Sequence, residues 1–558
     1  MLSALIALVV VGVVGMVVLR PLAVDEVPPF RVKRPEAMAA ALKPLNWIVL
    51  PLAVTSTACV ATSSDPVRQR QPSATVRPVG EALVIEGRRI EGGAPRRFTT
   101  TIDLNTGFSR TNEQMGSGEA VSGYDGVAWR WANGIIYLVD VPAQVADSRA
   151  RAFVARQGWR RRNEVRGARV IARTAGAGHS IRYRPPGGSD VEIIYDDASG
   201  LAKQVVIDTE YGPVTTTYDD WRSVGSLRYP FRQVTTGRTG LTSAVEVERM
   251  RLIPRAAADA FARPAAQPRG RLVDGRAARV TFTPTGARQT HIRVPARISG
   301  RDATLIFDTG GYNSLTFEAA KRLGLTLSGG VGVVGAGSSS SESAYATIDR
   351  ISLGSAELRD QTVEVGPSPF PPGTIDGSAG YEFLYEFRTT IDYAARTLTF
   401  TSFDQPMAGE GVTLPFYSDD NLIYVEGRIG NVRGLFRLDT GAGNTITLSP
   451  NFARRHGLRT DDSARVTGSG YGGEVVTRQG TLPSFSLAGL TFTKLPVQIS
   501  QATAGGFAMR SIAGNLGAGV LQCFRMTFDY RARTVLFEPQ PSNPNCGQGA
   551  SRVAGGTP

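Results

Sequence analysis

Histidine and cysteine are scarce in this chain, which has three of each among its 558 residues. The three histidines are scattered and lack the spacing of metal ligands: His179, His291 and His456. A catalytic zinc site and a Ser-His-Asp triad both need histidine in a defined arrangement with its partners. The sequence therefore predicts a protein that needs neither a metal ion nor another cofactor.

The chain also lacks any basic cluster that coincides with a nucleic-acid-binding motif. Its net charge of +13 is carried almost wholly by arginine, and the richest run, residues 149–173, is typical of the exposed edge of a helix and a strand. We predict no nucleic-acid partner and interpret the charge as compositional bias that also favours anionic lipid surfaces. The apolar fraction of 42% is ordinary for a globular protein, and the length allows about three or four domains.

An Asp-Thr-Gly triplet occurs twice, each time directly after an apolar strand-like segment. The two segments are Leu305–Gly311 and Leu435–Ala442, and a polar residue, Asn313 or Asn444, follows each. One such triplet is weak evidence, because Asp, Thr and Gly are common turn residues. Two of them in matching segments are more specific. Aspartic-protease chemistry needs two facing carboxylates that share one proton, since like charges so close cannot both ionise.

The similarity between the two halves extends well beyond the triplets. Residues 315–325 and 446–458 each predict a strand end, a short helix and a glycine that stops it. Further along, residues 375–400 align without a gap on residues 512–537, and each segment predicts a small helix followed by a β-hairpin. A repeat period of roughly 130 residues is too long for a solenoid. The duplication instead predicts two homologous lobes of ordinary domain size.

These halves, at 276–405 and 406–540, resemble tandem retropepsin-like aspartic proteases of the bacterial aspartyl protease family. The resemblance implies a mainly β, pseudo-twofold bilobal fold in which a single chain supplies both half-sites, and therefore a monomer. It implies an exported aspartic endopeptidase acting on a peptide or protein substrate. The alternative is a non-catalytic peptide- or lipoprotein-binding module of the cell envelope. Because both triplets are intact, the sequence favours the enzyme.

By position, the resemblance implies that the catalytic pair is Asp308 and Asp439. The next two residues in each copy would support the pair: Thr309, Gly310, Thr440 and Gly441. The threonine hydroxyls would crosslink the two loops, and the glycines would let the backbone turn tightly. The first copy departs from the family pattern at Gly311, where Ala is commoner, and at Ser378-Ala379, where two larger apolar residues are usual. These changes predict looser packing under the first Asp loop.

Each half also contains a glycine-rich segment between its triplet and its late repeat. Proteases of this kind close such a hairpin over the substrate, and glycine permits the mobility of a lid. The predicted flap residues are Gly335 and Gly337 in the first lobe and Gly470 and Tyr471 in the second. The alternative is a merely flexible hairpin, and Tyr471 could be an ordinary surface aromatic. The first segment lacks the Lys-Ser/Thr of a phosphate-binding loop.

The N-terminal residues 1–59 predict membrane targeting. Leu2 to Leu19 is long enough to span a bilayer, whereas Leu45 to Ala58 has the length of a signal-peptide core and is followed by Cys59. That ending resembles a bacterial lipoprotein cleavage site, with Cys59 as the lipidated residue, although Ser56 stands where Leu is usual. A start at Met38 would give a conventional lipoprotein signal. Both interpretations export the folded part to the periplasm as a membrane-anchored protein.

The remaining segments are predicted from composition and pattern. Residues 60–78 are a polar tether. Residues 79–254 alternate like strands and resemble the periplasmic lipoprotein-carrier fold, a β half-barrel over a helix, which could hold a lipid or lipoprotein or else serve as a docking module. Residues 255–275 are a linker, and 541–558 a disordered tail. Cys523 and Cys546 could form a disulfide in an oxidising periplasm, or Cys523 could be a free buried thiol.

Overall fold

The computed structural model describes residues 81–552 with short gaps at 92–94, 116–117, 162–163, 166, 175–177, 238–239, 258, 287, 289, 335–339, 369, 460–464, 471–472, 544–545 and 547–549. The predicted targeting region, Cys59 and the tether lie outside the described residues. Within the described part of the chain, no helix is long and apolar enough to cross a membrane.

The first part of the described chain is a half-barrel domain, residues 82–253. Its strands are β1 (Ala82–Ile90), β2 (Arg96–Asp103), β3 (Ser109–Met115), β4 (Gly118–Tyr124), β5 (Ala128–Ala132), β6 (Ile135–Val139), β7 (Arg169–Thr174), β8 (Gly178–Tyr183), β9 (Val191–Tyr195), β10 (Ala202–Thr209), β11 (Gly212–Val224), β12 (Leu227–Thr236) and β13 (Thr242–Ile253). A helix, α1 (Pro142–Ala155), and a 3-10 turn, Gly158–Arg160, separate β6 from β7.

The half-barrel is one antiparallel sheet wrapped on its helix. Its strands pair in the order β7-β8-β9-β10-β11-β12-β13-β1-β2-β3-β4-β5-β6. Helix α1 packs Phe153 and Val154 against one part of the sheet and Ala155 against another. The cavity left beside the helix, near Trp159 and Trp221, has a volume of about 20 Å³, which is room for roughly one water molecule.

Two lobes follow, and their elements correspond one to one. The first has β14 (Gly270–Leu272), β15 (Ala278–Thr281), β16 (Thr283–Thr285), β17 (His291–Ile298), β18 (Arg301–Phe307), β19 (Ser314–Thr316), α2 (Phe317–Arg322), β20 (Ser328–Val334), β21 (Ser340–Leu353), β22 (Ala356–Gly366), β23 (Gly377–Ala379), α3 (Tyr381–Glu386), β24 (Arg388–Asp392) and β25 (Thr397–Thr401). The second has β26 (Val412–Pro415), β27 (Tyr417–Asp420), β28 (Leu422–Ile429), β29 (Val432–Leu438), β30 (Ile446–Leu448), α4 (Pro450–Arg455), β31 (Arg465–Gly470), β32 (Gly473–Leu487), β33 (Leu490–Ser500), β34 (Gly514–Leu516), α5 (Ala518–Leu521), β35 (Phe524–Asp529), β36 (Thr534–Pro539) and β37 (Ala550–Arg552).

The short helix after each Asp loop has the termini that its sequence predicts. At the start, the hydroxyl of Thr316 accepts a hydrogen bond from the third backbone amide of α2, and Ser449 does the same for α4, which satisfies an otherwise unpaired helix donor. At the end, Gly324 and Gly457 take the left-handed conformation, with φ of 69° and 64°, which glycine adopts without steric cost. The two lobes thus repeat the same local structure.

A six-stranded sheet joins the lobes, in the order β15-β25-β24-β35-β36-β26. At its centre β24 and β35 run antiparallel, and the hydroxyls of Thr390 and Thr527 share a hydrogen bond of 2.9 Å. These two threonines occupy equivalent positions in the aligned repeats, so the pseudo-twofold axis passes between them. Beside them the buried ion pair of Arg388 and Asp529, 2.7 Å apart, ties the first lobe to the second. The mainly β bilobal fold is therefore confirmed.

Two predicted boundaries are corrected. The linker 255–275 ends in Gly270–Leu272, which pairs as β14 with β22 of the first lobe. The tail 541–558 is not disordered throughout, because Ala550–Arg552 pairs with β33. A disulfide between Cys523 and Cys546 holds this segment close to the second lobe, and composition alone does not reveal that attachment.

The half-barrel is fixed to the lobes through its last strand before the helix. Strand β6 pairs with β27, so that the sheet of the half-barrel continues into the second lobe. Next to this junction, Arg130 bonds both carboxylate oxygens of Asp420, at 3.2 and 3.0 Å, and its guanidinium lies 3.9 Å from the centre of the Tyr137 ring. Tyr137 in turn stacks on Tyr381 of the first lobe. The half-barrel and both lobes thus share a buried interface.

We predict that Arg130→Leu destabilises this junction strongly. Asp420 is buried, and removing its cation leaves a buried charge without a partner, which costs about 3–5 kcal/mol. The matched control is Arg182→Leu, which breaks an exposed pair with Glu192 in the same domain and should cost less than about 1 kcal/mol. Denaturant unfolding of both variants measures the difference. Equal losses in the two variants would contradict the importance of the junction.

Candidate active site

Both Asp-Thr-Gly loops lie at the end of a central strand, in the middle of the molecule. Asp308 follows β18 and Asp439 follows β29, and each of these strands pairs in parallel with a short strand from the late repeat, β23 or β34. The backbone amide of Asp308 donates to Ala379 O at 2.8 Å, and that of Asp439 donates to Leu516 O at 3.0 Å. Equivalent bonds in the two lobes therefore fix both aspartates, and both side chains are buried.

The threonines of the two triplets hold the loops together reciprocally. The amide of Thr309 donates to the hydroxyl of Thr440 at 3.0 Å, and the amide of Thr440 donates to the hydroxyl of Thr309 at 3.1 Å. Each hydroxyl then donates across the axis, Thr309 to Leu438 O and Thr440 to Phe307 O, both at 3.1 Å. Four buried hydrogen bonds thus set the distance between the two Asp loops.

The glycines of the triplets let each loop approach the aspartate of the other lobe. A Cβ placed on Gly310 would lie 2.9 Å from Cγ of Asp439, and one on Gly441 would lie 2.4 Å from Oδ2 of Asp308. Real Cβ atoms do not approach other atoms so closely, and only glycine leaves that room. The two carboxyl groups therefore face each other across a space that the glycines keep open.

The two carboxyl groups differ in their hydrogen bonds. Oδ1 of Asp308 accepts from the amide of Gly310 at 2.8 Å and from that of Gly441 at 3.1 Å. Among the described residues, no backbone amide donates to Asp439, but the side chains of Asn515 and Asp308 lie close enough to affect its pKa. Burial raises the pKa of Asp308, and the two amides oppose that rise. Burial and the neighbouring charge of Asp308 raise the pKa of Asp439 well above its usual value.

The predicted flap segments are hairpins, and their tips are not described. Strands β20 and β21 form the hairpin in the first lobe, and β31 and β32 form that in the second, with Gly470 paired to Gly473 at its end. Gly335, Gly337 and Tyr471 lie outside the described residues. The hairpins stand in the predicted order along the chain, between each Asp loop and its late repeat.

Sequence reasoning missed two polar residues beside the dyad. Arg437 lies two positions before Asp439, and Asn515 is its partner in the adjacent strand β34. Both are completely buried. The signal was available in the alignment of the two halves, because the equivalent residues of the first lobe are Ile306 and Ser378. Arg437, next to the last residue of β29, is therefore a charged residue at a position that is apolar in the first lobe.

Nothing in the described residues resembles a metal site, since no group of three or more His, Cys, Asp or Glu side chains converges. His291 is buried, and its Nδ1 lies 3.3 Å from Thr285 O. Burial lowers the pKa of its imidazole. This histidine therefore packs as a neutral residue beside the second Asp loop, close to Gly443.

We predict that Thr440→Val destabilises the protein, whereas Thr440→Ser does not. Valine keeps the shape of the side chain but removes the hydroxyl, leaving the amide of Thr309 without its acceptor. An unsatisfied buried donor costs about 1–3 kcal/mol. Serine retains the hydroxyl and provides the control. Denaturant unfolding measures the loss, and an unchanged midpoint for the valine variant would show that the crosslink contributes little.

Comparison with known proteins agrees with this geometry. A family model described as aspartyl protease matches twice, at residues 294–383 and 425–520. No curated protein matches the sequence. Among solved structures, an aspartic proteinase from Irpex lacteus is similar at 13% identity and a TM-score of 0.31, over 47% of this chain and 97% of its own.

Two solved structures are similar to part of the chain at low identity. A putative outer membrane lipoprotein-sorting protein domain from Vibrio parahaemolyticus has 8% identity and a TM-score of 0.25, over 33% of this chain and 89% of its own. A LolA superfamily protein from Nitrosomonas europaea has 10% identity and a TM-score of 0.25, over 33% of this chain and 90% of its own.

With the two family matches, residues 294–383 and 425–520 are aspartyl protease domains in tandem, and the chain is an aspartic-type endopeptidase.

Proposed function

We propose that Asp308 and Asp439 are the catalytic dyad and hydrolyse peptide bonds with a water held between them. The observation that carries this proposal is the reciprocal bonding of Thr309 and Thr440, which holds two buried carboxyl groups face to face. A dyad of this kind works with one proton shared between the two groups. The titration belongs to the pair rather than to either residue.

The unequal hydrogen bonding supports an assignment of roles. Two backbone amides stabilise the ionised form of Asp308, so this residue is the general base that takes a proton from the water. Asp439 lacks such donors in the described structure and retains the proton. It hydrogen-bonds the carbonyl oxygen of the scissile bond and then helps to deliver a proton to the leaving amine. The hairpins β20–β21 and β31–β32 are the proposed flaps over the substrate.

We predict that Asp308→Asn and Asp439→Asn each abolish proteolysis. Each change removes one of the two carboxyl groups that the reaction requires, and each keeps the size of the side chain. Peptide cleavage by the purified variants measures activity, and thermal melting confirms that they fold. The Asp439→Asn variant should melt no lower than the wild type above pH 7, because its raised pKa makes the carboxyl destabilising once it must ionise.

A mixing experiment tests whether one chain forms the whole site. Since both half-sites lie in one chain, mixing the two inactive variants should not restore activity. Restored cleavage would show that sites form between chains. Wild-type turnover by either folded variant would refute the dyad. A wild-type chain that binds peptides tightly without cleaving them would favour the alternative function, a non-catalytic binding module.

We further propose that the protein is exported and held at the membrane in the periplasm. The disulfide between Cys523 and Cys546 supports an oxidising compartment, because disulfides persist there and are rare in the cytosol. The apolar segments before Cys59 supply the export signal, and residues 60–78 would be the tether between the membrane and the half-barrel.

We predict separately that the protein is attached to the membrane through a lipid on Cys59. Metabolic labelling with a palmitate analogue should tag the wild-type protein, and Cys59→Ser should abolish the tag. A single acyl chain gives only weak attachment, so the mature protein should carry more than one. Intact mass that shows Leu2 to Leu19 retained without lipid would instead make that segment the anchor.

For the half-barrel we propose a docking role rather than storage of a lipid. Helix α1 packs against the sheet, and the cavity beside it of about 20 Å³ is too small for an acyl chain. The shared interface with both lobes, built on the pairing of β6 with β27, is the feature that supports docking. A lipid bound between helix and sheet would require the helix to move away from the sheet.

A further inference from the structure

The Asp439 loop is held by hydrogen bonds within its own lobe. At the end of this loop, the side-chain amide of Asn444 donates to Gln498 Oε1 at 2.7 Å. The backbone amide of Gly519 donates to the carbonyl oxygen of Asn444 at 2.9 Å. These partners belong to β33 and α5, so the second lobe itself fixes its half of the candidate active site.

The Asp308 loop instead carries a large residue that contacts the half-barrel. Tyr312 stands where the second lobe has Gly443. Its hydroxyl accepts a hydrogen bond from Nη2 of Arg130 at 3.1 Å, and its ring meets that of Tyr137 edge-on, with centroids 5.9 Å apart. Arg130 and Tyr137 lie on β5 and β6 of the half-barrel. This position of the Asp308 loop is therefore held from another domain.

A second contact with the half-barrel runs through helix α3. Glu382 replaces Gly519 in the aligned repeats, and its carboxyl group bonds on both sides. Oε2 accepts from the backbone amide of Asn313 at 2.7 Å, and Oε1 accepts from the hydroxyl of Tyr137 at 3.3 Å. All three residues are buried, where a hydrogen bond is stronger than in water. The half-barrel thus reaches the end of the Asp308 loop through one carboxyl group.

A third contact supports the Asp-Thr-Gly triplet itself. Arg130 holds the carboxylate of Asp420, and the next residue, Asn421, is completely buried. The side-chain amide of Asn421 donates to the carbonyl oxygen of Gly310 at 3.2 Å. The backbone amide of the same glycine donates to Asp308 Oδ1 at 2.8 Å. One arginine of the half-barrel therefore supports the glycine that stabilises the ionised form of Asp308.

We propose that the half-barrel positions the general base of the protease, with Arg130 and Tyr137 as positioning residues that act through the Asp308 loop. This inference rests on the proposed function. The loop contains two consecutive glycines, and the second of them, Gly311, is an alanine in the other copy. Glycine retains more backbone freedom than other residues, and a displacement of about 1 Å in a catalytic group lowers a rate about a hundredfold. Contacts from outside the lobe limit that displacement.

Two hydroxyl deletions at this interface test the proposal. Tyr312→Phe removes the acceptor for Arg130, and Tyr137→Phe removes the donor to Glu382, while each keeps its aromatic ring. In both variants kcat should fall about tenfold or more. KM should stay unchanged, because the deleted bonds position the base and do not bind substrate. Peptide cleavage by the full chain measures both constants.

The matched control is Tyr385→Phe. Tyr385 lies in the same interface, where its hydroxyl bonds the backbone of Ile136, the half-barrel residue directly before Tyr137. This change also removes a hydroxyl between the half-barrel and the first lobe, but it leaves the three supports of the Asp308 loop in place. Its kcat and KM should match those of the wild type.

The pH profile separates positioning from a general loss of stability. Burial raises the pKa of Asp308, and the amide of Gly310 opposes that rise. In Asn421→Ala the glycine carbonyl loses its donor, so the amide is held less firmly and the pKa of the base rises. The acidic limb of kcat/KM should therefore shift upward by about half a pH unit or more. The charged neighbours of the base, Asp439 and Arg437, are unchanged in this variant.

Two outcomes would overturn the proposal. One is wild-type kcat, KM and pH profile in Tyr312→Phe, Tyr137→Phe and Asn421→Ala. The other is an equal loss of kcat in Tyr385→Phe, which would make the effect a general consequence of a weaker junction. Thermal melting confirms that the variants fold, and the two tyrosine changes decide the question if Asn421→Ala is unstable.

Hydrogen exchange tests the positioning without relying on catalysis. In Tyr312→Phe and Tyr137→Phe, the backbone amides of residues 309–313 should exchange about tenfold faster than in the wild type and in Tyr385→Phe. That result supports the restraint of the loop whatever the activity of Asp308→Asn, which tests the dyad separately. Unchanged exchange together with an inactive Asp308→Asn overturns the restraint and leaves the dyad intact.

Discussion

The four hydrogen bonds between the two Asp-Thr-Gly loops are the constraint on which the rest of the site depends. They are buried, reciprocal and made by equivalent atoms of the two lobes. Two buried carboxyl groups so close repel each other when both ionise, so a rigid frame is needed to keep them together. The crosslink holds Asp308 and Asp439 at a fixed separation, and the six-stranded sheet maintains the same axis by pairing Thr390 with Thr527.

The duplication explains how much of the site could be predicted from the sequence. Each Asp loop has a strand before it, a capped helix after it, and beside it a short strand, β23 or β34. Each of these features has a local signal in the sequence. Thr316, Ser449, Gly324 and Gly457 show those signals at the helix ends. The two lobes could therefore be predicted from the duplicated segments, and the pairing of Asp308 with Asp439 from the family resemblance that these segments carry.

Other features depend on contacts between distant segments and have no local signal. The pairing of β6 with β27 unites the half-barrel with the second lobe, although nothing in either strand specifies the other. The attachment of Ala550–Arg552 was missed for the same reason, since a short strand in a polar segment is defined only by its partner. Arg437 was missed for another reason. The sequence shows the arginine, but it does not show that the chain around Gly506 and Met509 buries its side chain.

The two lobes are related by a pseudo-twofold axis, but their residues differ beside the two aspartates. The symmetric parts hold the two carboxyl groups together, because both lobes must present them in the same way. The asymmetric parts distinguish them. Two amides converge on Asp308, while the side chains of Arg437 and Asn515 act on Asp439. Natural proteins depart from complete polar satisfaction mainly at functional sites. The two carboxyl groups therefore lie in different polar surroundings, although the lobes that present them are equivalent.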